Sequence, residues 1–393
     1  MKILVCGASV AGPAAAFWLN RSGHDVTLIE RAEHPRRAGQ NIDVRGPGRE
    51  VLRRMELESQ ALACNTGEIG VSFIDDSGVP LCRIPAGVGD SDGPTAALEI
   101  LRGELSRLLM ESLDEGVDVR FGQQISAIDE TGVGARVRFA DQQSEEFDLV
   151  VIAEGATSRS RRMVFGDVPQ RSLGLYTAYG TIARQRADDL WWTWYTAPGG
   201  RTVNLRPDNK GTTRVALSFL SAPRDYERQS LADQKATLRR IFQDAGWRVS
   251  EILDLIDGAD ELYLDYLTQV RAPSYSRGSV VLLGDAAWCA TPISGVGTTL
   301  ALVGAYVLAG ELSGAGPVGD RLRAYQRAMQ AFVAPAQKLP PGAPRLAHPK
   351  TALGVAALRT GLRIAGSRPA RALSAALPTR AALAPPIPNY ASL

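Results

Sequence analysis

Lys2-Ile3-Leu4-Val5-Cys6 is a short apolar run that breaks at once into a turn, Gly7-Ala8-Ser9-Val10-Ala11-Gly12. Ala14-Ala15-Ala16-Phe17-Trp18-Leu19 follows as a small-then-bulky helical pattern that ends near Gly23. Val26-Thr27-Leu28-Ile29 is a second apolar strand, with Glu30-Arg31 at its tip. Strand, glycine turn, helix, strand and acid within about 30 residues is the layout of a dinucleotide-binding βαβ unit. Gly7 permits the tight turn, and Gly12 lets the helix pack close to the strand. The helix N-terminus then offers unpaired N–H groups to a pyrophosphate, and Glu30 is placed to accept from ribose hydroxyls. The middle glycine of the usual fingerprint is Ser9, small enough to leave room for phosphate and able to donate to it. For the turn taken alone, an ordinary tight βα connection without a ligand is the plain alternative.

Outward from this unit, Asn41-Ile42-Asp43-Val44-Arg45-Gly46 alternates as a strand, and residues 51–62 carry a helical period. Residues 69–84 read as a hairpin about Asp76-Ser77-Gly78, and 85–94 as a glycine- and aspartate-rich loop. Leu101, Leu105, Leu108, Leu109 and Leu113 share one face, which predicts a helix over 98–115 with Arg102 in its first turn. Strands are expected at 117–121 and 135–139, and a buried one at 147–153 that ends in Glu154-Gly155. Between 171 and 270 strand-like segments dominate (176–182, 190–196, 202–205, 214–220), with a helix near 231–243. A mostly antiparallel sheet inserted into an α/β frame fits this pattern. The frame resumes with Ser279-Val280-Val281-Leu282-Leu283, then Gly284-Asp285-Ala286-Ala287. A loop through Pro292 and Gly295-Val296-Gly297 leads into a helix from 298 to 312.

Length suits two domains or one large α/β domain with an insertion, and the apolar fraction of 45% with 22% charged residues is that of a soluble globular protein. No apolar run approaches the roughly 20 residues that span a bilayer, and the N-terminal run reads as a strand and not a secretory leader. Cys6, Cys64, Cys82 and Cys289 are scattered, as reduced thiols of a cytoplasmic protein would be. His24, His34 and His348 sit outside every motif, so neither a metal centre nor histidine acid–base chemistry is expected. Beyond Asp320 the chain has basic residues and no acidic one. That tail reads as a solvated face pairing with the acidic body, or as a contact for an anionic partner. Nothing points to nucleic acid.

Three glycine-bearing elements each follow a buried strand: Gly7 to Gly12, Glu154-Gly155 and Gly284-Asp285. Together with Arg102, over roughly residues 1 to 335, they resemble the class A FAD-dependent aromatic monooxygenases, among them the tetracycline-inactivating members. The resemblance implies a Rossmann-like FAD-binding domain (1–70, 97–170 and 275–335), an inserted antiparallel-sheet substrate domain (71–96 and 171–274), and a basic C-terminal helical segment (336–393). It places Gly7, Ser9, Val10, Ala11 and Gly12 at the pyrophosphate, Glu30 at the ribose and Arg31 beside the adenine half. Asp43 matches a flavin-contacting acid, Arg102 an arginine near the phosphate and ribityl region, and Asp285 would bind ribityl or ribose hydroxyls, following Gly284. Pro292, Gly295, Val296 and Gly297 would set backbone amides against the isoalloxazine. Two positions depart from the family: Glu154 stands for the usual aspartate and Trp288 for the common histidine.

The implied reaction is reduction of FAD by NADPH or NADH, followed by insertion of one oxygen atom from O₂ into an aromatic or polyketide-like molecule through a C4a-hydroperoxyflavin. Arg45 is the candidate charge near the ring, or else a surface cation. Trp192, Trp194 and Phe219 are candidates for the substrate wall, or else core packing. Arg102 taken alone also fits a surface position, and Glu154-Gly155 a routine turn. A halogenase would need W-x-W-x-I-P and an early lysine, whereas Trp192-Thr193-Trp194 runs into Tyr195-Thr196-Ala197 and no lysine lies between Lys2 and Lys210. A non-redox FAD-scaffolded cyclase or a ligand-binding flavoprotein remains the alternative.

Overall fold

The computed structural model describes residues 1–35, 39–86, 95–259, 261–340, 342–367, 385–391 and 393. The opening unit folds as read: strand Lys2–Cys6, helix Ala11–Arg21, strand Asp25–Glu30. Lys2–Cys6 lies inside a six-stranded sheet between Asp25–Glu30 and Leu149–Ile152. Val117–Phe121 lies outside the first of these, and Val280–Leu282 then Ser276–Arg277 outside the second. All pairings are parallel except the outermost, so each central strand is covered on both faces and reads as a continuous β-branched run. Helix Gly297–Leu312, apolar nearly all round, packs on Ala11–Arg21, with Trp18 edge-on to Tyr306 at 5.1 Å.

The second sheet has seven strands, in the order Leu262–Val270, Gln170–Ala183, Thr212–Leu220, Arg201–Pro207, Trp192–Ala197, Gly70–Ile74, Pro80–Pro85. Only Trp192–Ala197 with Gly70–Ile74 is parallel, so the expected mostly antiparallel insert is present. One face packs on helices Leu231–Phe242 and Val249–Asp257 through a core that includes Tyr176, Val203, Val215, Leu217 and Leu264. The other face looks onto the C-terminal ends of the parallel strands across a cleft.

Three local readings are corrected. Leu98–Leu101 is a strand, antiparallel to Asn41–Val44, and the helix starts only at Arg102 and ends at Glu111. Pairing across the chain overrides the leucine periodicity there. Residues 51–62 hold two helices, Pro47–Arg54 and Glu58–Ala63, broken where Glu56 turns left-handed at φ 61°. The run 147–153 is divided at Asp148, which hands the chain from a three-stranded sheet (Ser144–Phe147 beside Ala135–Phe139, then Ile125–Glu130) to Leu149–Ile152. The expected loop at 85–94 falls largely outside the described residues, as do Arg368, Arg371 and Arg380 of the basic tail.

After helix Val318–Ala336 the chain returns to the antiparallel sheet. Helix Ala352–Ala365 is tied down by Arg359, paired with Asp76 at 2.6 Å, and His348 meets the Thr202 hydroxyl at 3.2 Å. Among the described residues no helix is long and apolar enough to cross a membrane.

Candidate active site

A cleft of about 2240 Å³ runs from the tip of Asp25–Glu30, past the ends of the parallel strands, to the open face of the antiparallel sheet. That exceeds the roughly 300–1,000 Å³ of an ordinary ligand pocket and suits two ligands end to end. At its first end Gly7 holds φ 106°, and a Cβ there would stand 2.6 Å from the Ala153 carbonyl oxygen. A Cβ on Gly12 would collide with the Gly7 carbonyl. Both glycines are therefore required by backbone approach; Gly12 acts behind the turn, while Ser9, Val10 and Ala11 line the cleft. The N-terminus of Ala11–Arg21 has no side-chain cap and no acid in its first turn, which leaves its N–H groups to a ligand.

Glu30 is already engaged within the protein. Its carboxylate accepts from the Ala8 N–H at 2.9 Å and from the Ala32 N–H at 3.0 Å, bracing the glycine turn while each oxygen keeps a lone pair. Arg31 stands exposed on the cleft rim beside it. Arg102 crosses over the turn, its Nε and Nη2 both donating to the Ser9 hydroxyl at 3.0 and 2.9 Å.

Gly284, at φ 64°, aims the following turn so that Asp285 faces the cleft, while a Cβ on Gly284 would press on Ala11 at 3.1 Å. Asp285 opens on the cleft, with the surrounding protein close about its carboxyl. That enclosure raises its carboxyl, against the pull of Arg102. Gly295, Val296 and Gly297 line the same stretch, and helix Gly297–Leu312 begins there without a side-chain cap. Pro292 opens the 3-10 turn Pro292–Ser294, and its side chain lies outside the described residues. Glu154 lines the cleft, yet it reaches forward to accept from the Ser158 hydroxyl (2.6 Å) and the Ser160 amide (3.1 Å) and hydroxyl (2.7 Å). The longer acid thus braces the start of helix Arg159–Phe165, whose cap is Ser158, accepting from the Arg161 N–H at 3.0 Å.

Where the cleft meets the antiparallel sheet, five charges cluster. Asp43 pairs with Arg45 at 2.7 Å; Arg206 meets Glu68 at 2.8 Å, Glu99 at 2.9 Å and Asp43 at 3.8 Å, and lies over the Trp192 ring at 4.3 Å. Three carboxylates against two guanidiniums leave one negative charge over. Burial, resisted by Arg206 and reinforced by Glu99, pushes Glu68 up to about 9, so that acid keeps its proton. Burial also raises Asp43, against Arg206 and Arg45. The Asp43 Oδ1 atom is buried without a hydrogen bond on the cleft wall, as the seat of an incoming donor would be. Arg45 is half-buried here and not a surface cation.

Trp192 and Trp194 lie on the cleft face, 5.3 Å apart, with Trp192 donating to Asn204 at 2.9 Å. Phe219 does not. Residues 215, 217 and 219 share the opposite face, and Phe219, 3% exposed, stacks on Tyr176 and meets Phe242 beneath the sheet. Residue parity along Thr212–Leu220 excludes it from the substrate wall.

Sequence reasoning missed Glu68, Glu99, Arg206, Tyr179, Tyr263 and Asp265, all on or behind this wall. Only the last two had a legible signal, the alternation Leu262-Tyr263-Leu264-Asp265. It also missed Arg161, fully buried, whose guanidinium donates to the Ala156 (2.8 Å) and Ala286 (3.0 Å) carbonyls and so ties the middle element to the late one. Among the described residues no cluster of metal-ligating side chains occurs.

Fold and cleft together define a dinucleotide-binding α/β protein with a second ligand chamber built by an inserted sheet. The family model described as FAD binding domain matches residues 1–335, and the chain belongs to that family of flavin-dependent monooxygenases. It is 36% identical over 326 residues to the FAD-dependent monooxygenase asL4 of Sarocladium schorii, covering 80% of this chain and 76% of that one. It is 35% identical to the flavin-dependent monooxygenase eupH of Phoma sp., covering 91% and 90%. Tetracycline destructase Tet(51) superposes with a TM-score of 0.79 at 29% identity, over 96% of this chain and 99% of that one. The glycine turn, the two uncapped helix starts and the orphaned Asp43 oxygen fit FAD, which this chain uses as a monooxygenase.

Proposed function

We propose that this chain is an NADPH- or NADH-dependent monooxygenase that places one atom of O₂ into an aromatic or polyketide-like small molecule. One observation carries the reading. The cleft that begins at the Gly7–Gly12 turn continues without a wall into a chamber faced by Trp192, Trp194, Tyr179 and Tyr263. FAD, when bound, supplies the two-electron reduction and the oxygen activation.

The protein's part is to bind, orient and keep water out. Ser9, Arg102 and the N-terminus of Ala11–Arg21 would hold the pyrophosphate, Glu30 and Arg31 the adenosine half, and Asp285 the ribityl hydroxyls. Asp43 would accept from the ring edge. The N-terminus of Gly297–Leu312 would face negative charge that develops on the ring. Arg45, neutralised by Asp43, would position that acid instead of meeting substrate as a free charge. Aromatic faces across the chamber suit a flat substrate.

The test is oxidation of NADPH and NADH by purified holoenzyme, with and without a panel of phenols and polycyclic ketones under ¹⁸O₂. Substrate-stimulated oxidation with one ¹⁸O in the product is expected. Flavin that neither nucleotide reduces, with substrate converted all the same, would overturn the reading in favour of a non-redox flavoprotein.

A further inference from the structure

Behind the wall formed by Asp43 and Arg206, two acids are closed off from water. Glu68, on the loop before Gly70–Ile74, is 8% exposed and Glu99, on Leu98–Leu101, is 1% exposed, while Asp43 and Arg206 line the cleft in front of them. The two carboxyls hydrogen-bond each other. Two ionised carboxylates have no hydrogen to place between them, so the contact itself requires a proton. One guanidinium holds both acids: Arg206 Nε meets Glu68 at 2.8 Å, and its Nη2 meets Glu99 at 2.9 Å.

The count of donors around the pair gives the same answer. The Asn41 amide and the Thr66 hydroxyl donate to Glu99 Oε1, at 2.6 and 2.9 Å. Glu99 Oε2 and Asp43 Oδ1 are buried and receive no aligned N–H or O–H among the described residues. A proton on Glu68 supplies a donor that this group of acids lacks. It also makes the group neutral, since three carboxylates less one proton match the guanidiniums of Arg45 and Arg206. Burial, against Arg206 and with Glu99, keeps that proton in place up to about 9. Arg206 Nη2 stands between the two orphaned oxygens, 2.9 Å from Glu99 Oε2 and 3.8 Å from Asp43 Oδ1. Asp43 and Glu99 are direct partners across their two strands, so Asp43 is where the buried pair meets the cleft.

Insertion of one oxygen atom with a reduced nicotinamide consumes a proton: NAD(P)H, H⁺, O₂ and substrate give NAD(P)⁺, oxygenated product and water. A chamber that keeps water out must take that proton from a side chain. We propose that Glu68 and Glu99 are its source: they hold one proton in common behind the wall and pass it through Asp43 to the oxygen atom that leaves as water. The Glu68 O–H bond breaks with its electron pair left on the carboxylate, the proton crosses Glu99 to Asp43, and Asp43 hands it on. The pair is left doubly ionised against Arg206 until solvent returns the proton between turnovers. The proposal rests on the reading that oxygen is inserted in this chamber.

The test mixes nicotinamide-reduced holoenzyme, loaded with the phenol that best stimulates nicotinamide oxidation, with O₂ and follows infrared absorption in H₂O and D₂O. The carbonyl stretch of a protonated carboxyl should fade as product forms and return afterwards. Glu68→Gln should lack that band from the start, and Asp43→Asn, which leaves the pair in place, should keep it unchanged throughout. Oxygen insertion by Glu68→Gln near neutral pH should be about a hundredfold slower. Its rate should also lack the fall that the wild type shows as pH rises through about 9. Retained FAD absorbance and melting temperature show that the variants fold, and the wild-type band is read without any variant. A band that stays constant while wild type inserts oxygen, or Glu68→Gln with the wild-type rate and pH profile, would overturn the proton supply and leave the oxygenation standing. Flavin that neither nucleotide reduces would instead overturn the oxygenation on which the proposal rests.

Discussion

Arg102 donates from both Nε and Nη2 to the Ser9 hydroxyl, at 3.0 and 2.9 Å, and so spans 93 residues of sequence to cover the glycine turn. Serine at the middle position is therefore half of a contact. The arginine would be pre-set where a pyrophosphate must sit. A hydrogen bond to a charged group contributes about 1.5–3 kcal/mol, or roughly ten- to a hundredfold in affinity. Arg102→Met should weaken FAD by that factor in reconstitution of the apoprotein, whereas Ser9→Gly, which frees the arginine, should weaken it by less than about tenfold. Equal losses would show that the hydroxyl itself carries the affinity.

Gly12→Ala should be among the most damaging single methyl additions. Its Cβ would meet the Gly7 carbonyl, a backbone atom inside a turn that Glu30 already braces. Overpacking costs about 1–3 kcal/mol where side chains can yield, and more where backbone must move. Soluble yield, melting temperature and FAD content should all fall together.

Glu68→Gln should change how stability depends on pH. In the folded chain this carboxyl is raised from the usual 4.5 to about 9, so between those values the folded state binds a proton that the unfolded state has released. Its contribution is fully present below 4.5 and is lost as pH rises through about 9. Glutamine keeps the shape without the titration. Denaturant melts of the variant across that range should lack the fall toward alkaline pH that the wild type shows.

Phe219→Ala should cost about 3–5 kcal/mol, because it opens a void between Tyr176 and Phe242. The folded fraction should retain its FAD and its order of substrate preference. Trp192→Ala, on the other face, should raise the Michaelis constant for substrate by about tenfold while sparing stability more, since one side of that ring faces the cleft. An exchange of these two outcomes would refute the assignment of faces.

Much of the frame was legible because its causes are local. Gly7, Gly12 and Glu30 act within one βαβ unit, and the buried parallel strands announce themselves as β-branched runs. Gly7, Glu154-Gly155 and Gly284-Asp285 follow three neighbouring strands, Lys2–Cys6, Leu149–Ile152 and Val280–Leu282, which stand in the sheet in chain order. What the sequence alone determined, then, was the fold class and the glycine-turn end of the cleft. The end faced by the antiparallel sheet was decided only by tertiary structure. Glu68, Glu99 and Arg206 lie far apart in the chain, and no spacing rule unites them until the two sheets meet. Leu98–Leu101 has a helical pattern and becomes a strand because Asn41–Val44 offers it a partner. Phe219 faces the core and Tyr179 the cleft for one reason: side chains alternate along a strand, so register decides which residues face the cleft and which face the helices.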